Sequence, residues 1–238
     1  MLSVHWRPWR WLAVVIALLA VLFAVGQMPT TTRFSINYQT GSQRIPLYQK
    51  ALAFMDRDVQ MHAVANQALA GIDDPRTQLQ TLLTWTHANI RPTPLGFPIV
   101  DDHPYHIVVR GYGPADQADD VFSILAAYKG IPATLIFCHD NAGDAQYAYA
   151  AAELDGAWRL FDVREGYALK NTRGDWATVD ELRANPNLAA GLPVPAESHG
   201  NDVPTLIRYL DPIPEHLRPE DQMPLSRLAF ELRRRLPA

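Results

Sequence analysis

The longest unbroken apolar run lies near the start of the chain, where Trp11–Gly26 reads WLAVVIALLAVLFAVG without a charge. Arg7 and Arg10 precede it and the next charge is Arg33. A basic flank before an apolar run holds the N-terminus in the cytoplasm and sends the rest of the chain across the membrane. Two forms of that segment are expected. One is an uncleaved anchor over residues 1–28, near the lower limit of what crosses a ~30 Å hydrocarbon core. The other is a signal peptide cut after Ala24-Val25-Gly26. Trp6, Trp9 and Trp11 suit an interfacial belt and favour the anchor. Residues 29–43 are mostly polar and read as a linker.

Helical spacing then takes over. Pro46 suits the first turn of a helix with Leu47, Ala51, Phe54 and Met55 on one face. Asp73-Asp74-Pro75 is an N-cap followed by proline, and Leu79, Leu82, Leu83 and Ile90 lie on one stripe until Arg91-Pro92. Residues 95–114 read as a long loop carrying Asp101, Asp102, His103, His106 and Arg110. Ala118, Val121, Phe122 and Leu125 mark a central helix that Gly130 ends. Ala133–Cys138, Tyr147–Leu154 and Ala157–Val163 alternate as strands, the last two joined by Asp155-Gly156, so a three-strand antiparallel meander is predicted. A helix is expected over Val179–Ala184. Another begins at Pro224 with Leu225, Leu228, Ala229, Leu232 and Leu236 on one face and Arg227, Arg233, Arg234 and Arg235 on the rest. That last helix either docks on its own domain or contacts a partner or membrane surface.

Composition narrows the functions. The chain has 238 residues, 48% hydrophobic and 19% charged, which suits a globular domain. One cysteine excludes a disulfide framework and any multi-cysteine metal site. A formal net charge of −4 gives no electrostatic case for nucleic acid. His103 and His106, with Asp101 and Asp102, are weak metal candidates; no metal or other cofactor is implied.

The run GYGPADQADDVFSILAAYKGIPATLIF, followed by YAYAAAELDGAWRLFD, resembles the core of the transglutaminase-like superfamily of papain-fold cysteine enzymes. The resemblance covers residues 74–166. It implies an α+β fold, with N-terminal helices and then a central helix packed on an antiparallel sheet, over 44–170, with 171–238 as a C-terminal extension. In that family a cysteine at the helix N-terminus, a histidine on the next strand but one and an aspartate form a triad, the first two making a reactive thiolate. Fifteen residues before Gly130 stands Ala115 in place of the cysteine, and fifteen before Asp162 stands Tyr147 in place of the histidine. Tyr149 takes the place of the family's Trp, and only Asp162 carries over. The resemblance therefore implies a pseudoenzyme whose old groove, with Arg110, Asp116, Gln117, Tyr147 and Tyr149, binds a peptide, glycan or envelope protein. Two alternatives stand beside it. One is a thiol-dependent acyl transferase or amidase using Cys138 with His139, or with a base from His103 or His106. The other is a structural subunit of an envelope complex. The expected location is membrane-anchored with the domain outside the cytoplasm, or secreted if the leader is cut.

Overall fold

The computed structural model describes residues 8–36, 39–99, 103–139 and 144–235. The chain divides into two compact units, Met1–Asp56 and Arg57–Ala238. The first opens with α1 (Pro8–Gly26), nineteen residues long or roughly 28 Å at helical rise. Within it Trp9–Gly26 is apolar enough to cross a membrane and none of it is buried.

The stretch expected to be a linker is instead a hairpin. β1 (Pro29–Ile36) and β2 (Gln39–Pro46) pair antiparallel from Pro29↔Pro46 to Ile36↔Gln39. Three consecutive threonines favour extended backbone, and the Thr30 hydroxyl donates to the Ile45 carbonyl at 3.1 Å. Helix α2 (Leu47–Ala68) starts where expected but buries another face: Met61 and Ala65 enter the core, while Met55 is 58% exposed.

The second unit is built around α5 (Ala115–Tyr128), buried along nearly its whole length. It packs against α3 (Pro75–Asn89) and the short α4 (Pro104–Arg110) on one side and a sheet on the other. Asp74 caps α3 as the sequence predicts, accepting from the Thr77 amide at 2.8 Å. α4 replaces part of the expected long loop: His103 is its N-cap, Pro104 its first residue and Gly111, at φ 71°, its C-cap.

The sheet has four strands in the order β3 (Ala133–His139), β4 (Ala145–Leu154), β5 (Ala157–Asp162) and β6 (Tyr167–Ala168), all antiparallel. It is the expected meander with one short strand more. Asp155 and Gly156 both adopt positive φ, the conformation a two-residue turn here requires. Side chains alternate between two cores, as the pleat demands. One holds Ala150, Ala152 and Phe161 with α3 and α5; the other holds Ile136, Cys138, Tyr147, Tyr149 and Leu160.

That second core is completed by α6 (Val179–Ala184) and α7 (Val203–Arg208), through Val179, Leu182, Val203, Leu206 and Ile207. The expected boundary at residue 170 therefore falls inside one compact unit. Residues 209–211 lie along the outer edge of β3: the His139 amide donates to the Tyr209 carbonyl and the Asp211 amide to that of Phe137. The chain closes with a 3₁₀ turn (Arg218–Gln222) and α8 (Pro224–Arg235).

Candidate functional site

The site grows from a deficiency at the start of α5. Its N-cap is Pro114, which has no side-chain acceptor, so the first amides of the helix must find one elsewhere. Two carboxylates meet that need. Glu197, from the segment between α6 and α7, accepts from the Ala115 amide at 2.9 Å. Asp116 accepts from the Gln117 amide at 2.9 Å. Negative charge is favourable there because the helix dipole presents its positive end.

Glu197 is held in turn by Arg164, whose Nε lies 3.2 Å from its Oε1. The Arg164 side chain is almost fully buried and also donates to the carbonyls of Ile90 and Gly113. One guanidinium thus joins the end of α3, the turn before α5 and the Glu197 segment. Close packing continues behind it: the Arg164 carbonyl is 3.0 Å from His87 Nδ1, and a side chain at Gly166 would collide with the His87 ring.

Beside this hub the Tyr147 hydroxyl donates to Asp162 Oδ1 at 3.0 Å, and the Glu165 amide donates to the same oxygen at 2.9 Å. Burial pushes the Asp162 carboxyl up to about 6, with the two donors working against that rise. Burial also lifts Tyr147 and Tyr149 well above the usual phenol range, and the negative charge of Asp162 adds to it. The two tyrosine rings meet edge to face at 5.1 Å, on the same side of β4 as their spacing of two dictates. Asp119, one helical turn into α5 and buried, is raised by desolvation and by Asp162. A phenol held on a carboxylate in this way is neither a base nor a nucleophile near neutrality.

The structure thus brings together Ala115, Asp116, Tyr147 and Asp162. A cavity of about 200 Å³ opens between Ala115, Asp116, Gln146, Tyr147 and Glu197. Arg110 and Gln117 bond to each other on the flank of α5, and Arg110 Nε also donates to the Tyr112 carbonyl at 2.8 Å. That pair braces the turn before the helix. Tyr149 lies beneath, fully buried.

The Cys138 expectation meets a physical obstacle. The thiol is fully buried in the second core, and desolvation raises it, helped by the carboxylates of Asp211, Asp119 and Asp162. Its strand neighbour His139 pairs outward instead, with Nδ1 3.0 Å from Asp211 Oδ1, and the β3–β4 register shifts between Cys138 and His139. No Cys–His couple forms. His103 is committed to capping α4, its Nδ1 accepting from the Tyr105 amide at 3.1 Å. Its ring centre lies 6.2 Å from that of His106. Asp101 and Asp102 lie outside the described residues, and among those described no group of three metal-type side chains stands together.

Arg164 and Glu197 are the residues that sequence reasoning missed. Arg164 had a signal, a lone arginine two positions after a buried strand aspartate. Glu197 had none, since 82 residues separate it from its partner.

No protein-family model matches the chain, and no curated protein sequence does. Solved structures do align with it. A candidate cysteine protease from Cytophaga hutchinsonii aligns at 13% identity and a TM-score of 0.39, over 58% of this chain and 62% of that one. LapG of Legionella pneumophila aligns at 14% and 0.35, over 53% and 74%. A TGase aligns at 14% and 0.35, over 60% and 47%. One of these is named as a cysteine protease and another as a TGase, and the likeness is one of fold. This chain has an α+β fold with a central helix against an antiparallel sheet.

Proposed function

We propose that the chain is a membrane-tethered, non-catalytic member of the transglutaminase-like group. Its former active-site groove would serve to bind a peptide, glycan or protein partner in the cell envelope. One observation carries the reading: the helix N-terminus that would activate a nucleophile presents the methyl group of Ala115, and its first free amide is held by Glu197 of the same chain. The Tyr147–Asp162 bond supports it, because it ties up the position that would hold the base. The burial of the one thiol supports it again. α1, with its apolar length and basic flank, is the tether, and the remainder lies outside the cytoplasm.

Alkylation of Cys138 in the native full chain tests the first half. The thiol should stay unreacted across neutral pH and react only once the protein is unfolded. Rapid modification below pH 7, with hydrolysis or acyl transfer that a Cys138→Ala variant loses, would overturn it. A photo-crosslinking residue at Gln146, on the groove wall, tests the second half. It should capture an envelope component that the same residue at Asp155, in the β4–β5 turn, does not; equal labelling from both would remove the groove from consideration.

A further inference from the structure

The last helix presents a surface that its own domain does not use. Leu225 is 82% and Leu228 56% exposed, and among the described side chains of α8 none belongs to either buried core. One contact holds the helix to the chain before it: Phe230 stacks on His216 with ring centres 3.9 Å apart. Alongside it runs a groove of about 540 Å³, walled by Ile131, Pro132, Leu217, Leu225, Ala229 and Arg233. Over Pro224–Arg235 the sequence carries four arginines against one glutamate, in a chain whose formal net charge is −4. The side chains of Arg227 and Arg233 are exposed.

We infer that α8 is a second membrane-contact element, which lays its leucine face on an anionic bilayer surface with its arginines among the headgroups. Three features favour a bilayer over a protein. A stable protein interface needs about 800 Å² from each partner, more than two leucines and a groove edge supply. Exposed Leu225 and Leu228 flanked by exposed Arg227 and Arg233 match the interfacial helix, whose binding adds apolar burial to attraction for anionic lipid. The basic segment in an otherwise acidic chain selects negative surfaces by charge. The inference rests on α1 as a tether only in that the tether keeps a bilayer within reach of the domain.

The test uses the full chain carrying Leu228→Cys, labelled with an environment-sensitive fluorophore while buried Cys138 stays unlabelled. The chain is reconstituted into vesicles of phosphatidylcholine alone or with a quarter phosphatidylglycerol. In the anionic vesicles the emission should shift to the blue and quenching by an aqueous reagent should slow several-fold. Both changes should vanish with R227Q/R233Q/R234Q/R235Q and weaken in high salt. Unchanged emission in both lipids would overturn the inference. So would protection that persists in neutral lipid and grows with protein concentration, the mark of a second copy covering α8. Flotation with neutral vesicles reports α1 separately, so a failed tether and a failed α8 contact give different results.

Discussion

Two positions in this protein each have what the other lacks. Ala115 occupies a helix N-terminus, with the dipole and amides that stabilise an anion, but carries only a methyl group. Cys138 carries the thiol but lies on a strand in an apolar core, faced by carboxylates that oppose a thiolate. The contrast shows that reactivity belongs to a place in the fold as much as to a residue. At Ala115 the place has a structural task. Glu197 fills it, and Arg164 holds Glu197, so the electrostatics that would lower a thiol pKa bind a loop of the same chain.

The sharpest way to break the comparison is to remove Arg164. Arg164→Ala leaves the carbonyls of Ile90 and Gly113 and the Glu197 carboxylate without their buried cation. It should cost about 3–5 kcal/mol in denaturant unfolding, enough to threaten folding. A loss below about 1 kcal/mol would mean that the hub is incidental.

Moving the thiol is the more direct exchange. Cys138→Ala/Ala115→Cys places the only thiol on α5, where it should alkylate at neutral pH while wild type does not. Adding Glu197→Gln should speed the reaction further, because a carboxylate beside the thiol works against the dipole. A thiol at 115 as inert as Cys138 would show that the helix end exerts no useful field there.

Tyr147→Phe removes the donor to Asp162 and should cost about 1–3 kcal/mol, with the carboxyl rising further. Asp162 also sets a pH signature. Its folded value, about 6, lies above the ordinary 3.8, so between those limits the folded state binds more protons than the unfolded one. Stability from this group is therefore fullest below about pH 4 and falls as pH rises to about 6. Asp162→Asn, which keeps an acceptor, should flatten that part of the profile in unfolding curves taken from about pH 4 to 7. The smallest effect is a calibration. α6 has a local capping box in which Thr178 and Glu181 bond each other's backbone. Thr178→Ala should cost about 1 kcal/mol. Glu197→Ala should exceed it, because that acceptor serves the Ala115 amide and Arg164 together.

Local patterns made much of the fold legible. The Leu79–Leu82–Leu83 stripe, the Asp74 cap, the alternation through β3–β5 and the Asp155-Gly156 turn each answer to a spacing of a few residues. The elements that escaped also had local signals. His103-Pro104 before α4 and Asp202-Val203-Pro204 before α7 are caps with an early proline, hidden inside stretches whose polarity reads as loop. The β1–β2 hairpin has polar strands, so its alternation shows little hydrophobic contrast. Counting from landmarks leads to Ala115, Tyr147 and Asp162, which lie near one another in the structure. That Asp162 accepts from Tyr147, and that Glu197 closes the helix end, depends on contacts which no short window contains.

The outer edge of β3 has a history as well as a structure. Its partner segment, 209–211, is made only after some 72 further residues. At roughly 5–20 residues per second of synthesis, that leaves the edge bare for about 4–14 s. In that interval the outer carbonyl of Phe137 and the outer amide of His139 stay unpaired at the edge of an apolar strand and invite pairing with another nascent chain. The arrival of the C-terminal third is thus also the moment at which the sheet ceases to be a hazard, and chains truncated before residue 209 should precipitate where complete ones stay dispersed.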